Sequence, residues 1–140
     1  MNESIDISLT NSIATQSLAD VLGTISETAL DSALKAGTLR DIPIVGTFFG
    51  LLKAGSDIQS ALFLRKILIF LKTLSEASDN DRRKFIDKME CPEQKHKFGE
   101  AILLLLERAE DMATPKLIAK IIGAYILDIL AKQLHLGFVQ

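Results

Sequence analysis

The sequence predicts an all-α fold, a compact bundle of about five to six helices with an apolar central hairpin. Three observations carry the expectation. Apolar residues fill 48% of the 140 positions while aromatics reach only 6% and Trp is absent, so the apolar mass is mainly Leu, Ile and Ala, a mixture weighted towards helix. Those residues recur at three- and four-residue steps through most of the chain, the period of one helical face. Gly37, Pro43, Pro92, Pro115 and the cluster Ser78-Asp79-Asn80-Asp81 cut the chain into helix-length pieces. A chain of this length buries about two-thirds of its unfolded surface and sustains one core without disulfides. The expected organisation is a flexible N-terminal arm over 1–11 followed by a single helical domain over 12–136.

Residues 1–11 alternate weakly at Ile5, Ile7 and Leu9, a strand-like period for which the sequence offers no partner strand, so a frayed arm or an early helical turn is expected there. From 12 to 36, Leu18, Val21, Leu22, Ile25, Ala29 and Ala33 fall on one helical face, and Gly37 supplies a C-terminal stop. Asp41-Ile42-Pro43 opens a second helix, expected to run to Ala54, because the residue before proline avoids the α region while proline suits the first helical turn. Positions 42–52 carry no charge. Within them Gly46 and Gly50, continued by Ala54, form a ridge with almost no side chain. Ala29, Ala33 and Gly37 form a similar line, so the first two helices are expected to pack antiparallel through these lines.

Ser56 and Gln59 have capping-box spacing and start a third helix over 57–74. The Ser78 cluster starts a short, water-facing helix to Met89, anchored by Phe85, Ile86 and Met89, and Cys91-Pro92 ends it. Over 93–112, Phe98, Ile102, Leu105, Ala109 and Met112 step 4, 3, 4, 3, the seam of a helix packed lengthwise, with the wholly apolar 101–106 at the centre. Thr114-Pro115 then caps a last helix to Leu134. Its charges, Lys116, Lys120, Asp128 and Lys132, keep to one row, leaving a thin stripe for water.

The same residues exclude several functions. A net charge of -2 gives no field to recruit nucleic acid, and the local imbalance, +3 over 65–97 against -3 over 1–56, reads as a solvated face. A single Cys91 allows no internal disulfide and no thiolate cluster, which fits a reducing, cytoplasmic setting, and the polar, acidic start lacks the pattern of a secretory signal. His96 and His135 stand in no catalytic motif and read as a surface residue and a helix-end residue. Neither metal-ligand spacing nor a phosphate loop is present, and Glu107, Glu110 and Asp111 read as a polar helix edge. The expectation is a non-enzymatic protein with no cofactor, no metal and no evident small-molecule substrate.

What remains is an excess of apolar helical surface, which implies a homo-oligomer, a protein partner or membrane lipid. The longest uncharged apolar run, eleven residues at 42–52, is too short to span a bilayer. The residues nominated for lipid or partner contact are Ile44, Phe48, Phe49, Leu51 and Leu52, with Arg65 and Lys66 beside them and Lys72, Arg82, Arg83 and Lys84 as further headgroup contacts.

Asp41-Ile42-Pro43-Ile44-Val45-Gly46-Thr47, Leu52-Lys53-Ala54-Gly55 and Leu62-Phe63-Leu64-Arg65-Lys66 together resemble a recurring segment of small bacterial helical proteins of unknown function. Leu103 to Arg108, Lys116 to Lys120 and Ala124 to Ile126 are similar to that group too, so the likeness spans 17–126. It implies no activity. In outline alone, an apolar bundle of this size also resembles membrane-targeting cell-death effector domains. The leading expectation is therefore conditional, peripheral association with the inner membrane through the hairpin over 43–74. The alternative is an interaction module that hides the same surface in a homodimer or partner complex.

Overall fold

The structure, a computed structural model, describes the backbone over residues 4–53 and 58–139 and the side chains over 4–48 and 60–132. Seven α-helices follow one another: α1 Ile5–Ile13, α2 Leu30–Ala36, α3 Pro43–Lys53, α4 Ile58–Leu74, α5 Asp79–Asp87, α6 Pro92–Arg108 and α7 Ala113–Val139. A π-helical turn, Ala19–Gly23, and a 3-10 turn, Glu27–Ala29, lie between α1 and α2. No strand occurs among the described residues, so the fold is all-α as expected, with more helical pieces than the sequence suggests.

The first correction concerns the chain start. In place of a flexible arm, residues 5–13 form a helix whose Ser8, Leu9, Thr10, Ser12 and Ile13 are all buried, and whose most extensive contacts are with α6 and α3. The hydroxyls are what allow a polar helix to sit there. Ser12 Oγ accepts the otherwise free N–H of Ile44 at 2.8 Å, capping α3 from another helix, and itself donates to Ser8 O at 2.7 Å. Ser8 Oγ and Thr47 Oγ1 share a 2.8 Å hydrogen bond, and Thr10 Oγ1 donates to Lys95 O at 2.7 Å. With their partners made, these small side chains bury at little cost and bring neighbouring backbones close.

The second correction is that the helix expected over 12–36 is broken. Arg82, fully buried on α5, donates through Nη1 to Ile13 O at 2.7 Å and Thr15 O at 3.2 Å, collecting the carbonyls that a continuing helix would use itself. Its Nη2 pairs with Asp79, whose other oxygen accepts the N–H of Ser17 at 2.8 Å, and Ser17 takes a left-handed φ of 61°. Burial lowers the Arg82 pKa from its ordinary value, and the Asp79 charge works against that shift. Six residues on, Lys72 Nζ donates to Leu22 O at 3.2 Å and Gly23 O at 3.0 Å, ending the π turn in the same manner. Gly37, with φ 80°, then closes α2 as the sequence predicts.

α4 is the core of the bundle. Leu64, Ile67, Leu68, Ile69, Phe70, Leu71 and Leu74 are all at most 1% exposed, and each contributes about 1.5–3 kcal/mol of apolar transfer. α7 packs along it, with Ala119 and Ile126 buried against the cluster.

The predicted small-residue ridge is also corrected. Gly46 is exposed, and a Cβ there would meet only Arg40 O at 3.5 Å, an ordinary contact. α3 packs chiefly on α1, while Ala29 and Ala33 are half-buried. Gly50 and Ala54 fall outside the described side chains, as does the proposed capping pair Ser56 and Gln59. The close helix approach occurs instead at Gly99 on α6, where a Cβ would lie 1.9 Å from Asp6 O.

Two helix ends differ as well. α6 stops at Arg108 rather than Met112, because Ala109 turns to extended backbone and its carbonyl accepts Lys66 Nζ at 2.6 Å. Its buried face runs through Gly99, Ile102 and Leu106, so Leu105, placed in the seam by its spacing, is 50% exposed, and Leu104 and Ala101 face out as well. The cap of α7 is Asp111, not Thr114: Asp111 Oδ1 accepts the N–H of Ala113 at 3.1 Å and both the N–H and hydroxyl of Thr114 at 2.9 Å. Those bonds, led by the Thr114 N–H, hold the Asp111 carboxyl below its usual range. Ser78 caps α5 by accepting Asp81 N–H at 3.1 Å, as its sequence position suggests.

Candidate functional site

At about 100° per residue, α7 divides into two sides. Pro115, Ala119 and Ile126 are buried on one. The other presents Leu117 and Ile121, each 59% exposed, Tyr125 at 51% and Leu127 at 54%, together with exposed Ala124 and Ala131. This corrects the expectation that only a thin charged stripe meets water: Lys120, Asp128 and Lys132 keep to their row, but large apolar side chains flank it in the open. The helix is wet on this side because α4 and α5 occupy only its inner arc. Leaving four such side chains half in water forgoes about 1 kcal/mol each, which a partner surface recovers.

Aromatic stacking holds the middle of α7 in place. Phe85 on α5 meets Phe98 of α6 edge to face at 5.4 Å and Tyr125 at 5.9 Å. Tyr125 is thereby anchored while half its surface stays open. Leu104 and Leu105 on α6, 46% and 50% exposed, and Leu62 on α4, 45% exposed, add smaller apolar patches elsewhere.

The residues nominated from sequence are placed differently. Ile44 is fully buried and Phe48 is 4% exposed, its ring against Phe63 at 6.0 Å, so this part of the hairpin belongs to the core. Phe49, Leu51 and Leu52 lie outside the described side chains. Arg65 is half-buried 3.8 Å from Asp31, and Lys66, Lys72 and Arg82 each cap the carboxyl end of another segment. Of the six cations nominated for headgroups, Arg83 and Lys84 are exposed. The signal for these caps is not local, since each cation acts on carbonyls about 43 to 69 residues away.

Two polar features stand apart from the apolar face. A cleft of about 370 Å³ between α4 and α7 is lined by Lys72, Thr73, Ser75, Glu76, Lys116 and Lys120, and its charge is partly neutralised internally, with Lys116 2.7 Å from Glu27. Across the molecule, His96 Nδ1 lies 2.5 Å from Asp6 Oδ2 and Nε2 lies 3.3 Å from Glu100 Oε2. His96 is therefore half-buried between two carboxylates rather than free at the surface, which pins α1 to α6. One ligand atom from each of Asp6, His96 and Glu100 falls within 4.8 Å of the others, a set able to offer a cation one imidazole nitrogen and two oxygens. At 2.5 Å, however, the His96 and Asp6 atoms are in direct hydrogen-bond contact, closer than two ligands of one ion stand. Sequence shows only the Glu100 half of this arrangement, through its four-residue spacing from His96.

Among the described residues no helix is long and apolar enough to cross a membrane. No protein-family model matches the chain, and no curated protein or solved structure matches it.

Proposed function

We propose that the chain is a non-enzymatic helical interaction module that docks the outer face of α7 onto an apolar protein surface. The observation that carries this is the row of Leu117, Ile121, Tyr125 and Leu127, each more than half exposed on one rigid helix. A protein surface is favoured over lipid for two reasons. The described side chains of the hairpin over 43–74 are largely committed to the core, and Lys66, Lys72 and Arg82 are committed to backbone carbonyls.

The test is photo-crosslinking in cells. Benzophenone maleimide is attached at Ile121→Cys in a Cys91→Ser background, with the exposed Lys97→Cys as control. A discrete protein adduct from Ile121→Cys but not from Lys97→Cys supports the reading; equal labelling from both positions removes it. Flotation of the purified chain with anionic liposomes is the companion measurement, and co-flotation that survives Ile121→Asp would return the role to peripheral membrane association.

A further inference from the structure

We infer that the surface this face accepts is a second copy of the chain, with the two α7 helices antiparallel across a two-fold axis at Ala124. The inference rests on the docking reading above and adds the partner and the register. In an antiparallel pair centred on one residue, positions equally far before and after the centre face each other. Lys120 and Asp128 each stand four residues from Ala124, about 6 Å along the axis and about 40° to either side of it. Lys120 of one copy therefore meets Asp128 of the other, twice. Among the described residues Lys120 has no ion-pair partner, while Asp128 is held by Lys132 at 3.2 Å, so pairing joins three charges into a network.

Size complementarity agrees with the charges. Leu117 falls opposite Ala131, a large side chain against a small one, Ile121 falls opposite Leu127 as an apolar pair, and Ala124 falls opposite itself, so the axis is free of bulk. A parallel pair would instead set Lys120 against Lys120 and Asp128 against Asp128. The one like-charge approach, Lys116 to Lys132, falls about 80° off the contact line, where Lys116 already has Glu27 and Lys132 already has Asp128. Glu76, which lines the cleft beside Lys120, is the remaining carboxylate near the pair.

The experiment is sedimentation equilibrium of the full chain with charge exchange. The wild type is expected to have twice the monomer mass. Lys120→Asp and Asp128→Lys each weaken the dimer by about tenfold or more, and the double variant, which restores opposite charges in swapped places, recovers most of the loss. Both positions are exposed, so circular dichroism checks that folding is intact. Oxidation of Ala124→Cys in a Cys91→Ser background should give a disulfide-linked dimer, because a bridge needs Cα atoms within about 7 Å, which only the axis provides. A wild-type monomer at all concentrations overturns the inference. If Ile121→Cys still crosslinks a protein of different mass, the docking face stands and the second copy is the wrong partner. A wild-type dimer with no Ala124→Cys bridge and no rescue in the double variant overturns the register and with it the inference, leaving self-association by another surface.

Discussion

Gly99→Ala tests the central packing argument. A Cβ built on Gly99 lies 1.9 Å from Asp6 O, 2.7 Å from Asp6 C and 2.8 Å from Thr10 Oγ1. Two of these are backbone atoms, so no rotamer change relieves the contact. Restoring an ordinary separation near 3.4 Å requires α1 and α6 to part by about 1.5 Å. Such overpacking costs about 1–3 kcal/mol. The shift also breaks the 2.7 Å bond from Thr10 to Lys95 O, worth about 0.5–1.5 kcal/mol. Against this, Ala is about 1 kcal/mol better than Gly inside a helix. The net expectation is a loss of about 0.5–3.5 kcal/mol centred near about 2, read as a lower urea midpoint with unchanged slope and, at that centre, a Tm drop of about 6–8 °C. Gly46→Ala is the control: its Cβ meets only an ordinary 3.5 Å contact, so the same exchange should stabilise by about 0.5–1 kcal/mol. A Gly99→Ala protein as stable as the wild type would refute the close approach of α1 and α6.

Arg82→Lys keeps the charge but cannot reach Ile13 O, Thr15 O, Ala77 O and Asp79 together, so it should lose about 2–4 kcal/mol in urea titration; a loss under about 0.5 kcal/mol would show that the guanidinium fork does not organise the break after α1. His96→Ala should cost at most about 1 kcal/mol, because its ring is 45% exposed and solvent screens both carboxylate contacts. A larger loss would mean that the ring, not Gly99, controls the α1 to α6 contact. Asp111 has a folded-state pKa below its unfolded one, so its contribution to stability is present above about pH 4 and is lost as pH falls through the lower value. Replacing it with Ala should flatten the decline of Tm as pH falls below about 4, and parallel curves for variant and wild type would rule out the cap.

Much of the helical layout was legible because its signals are local. Pro43, Ser78 and Pro92 start helices where their chemistry says they should, and Gly37 ends one. The chain start was misread because Ser8, Thr10 and Ser12 look like surface residues until partners 39, 85 and 32 positions away are known. The break after α1 was invisible for a related reason. The apolar period runs straight through residues 14–29, and only Arg82, Asp79 and Lys72, far along the chain, supply the groups that interrupt it. Gly99 gave no cue because a lone glycine in a helix predicts a small penalty, and its role depends on which helix lies opposite.

These long-range caps also bear on where the open apolar surface ends up. Lys66 and Lys72 place their charges on segment ends inside the bundle, which lets α4 present apolar side chains over most of its circumference and remain largely buried. A helix so largely buried must be wrapped by neighbours, and α7, the longest of the described helices, lies along it with one side only. An apolar helix covering an apolar core keeps a second side in water unless another layer is added, and within the described residues none is. The apolar composition of the hairpin thus reappears as exposed Leu117, Ile121, Tyr125 and Leu127 on a different helix. Counting apolar residues helix by helix led to the hairpin, whereas the layer order of the folded chain leads to α7. The Ile121 variants test α7 directly without disturbing the core beneath it.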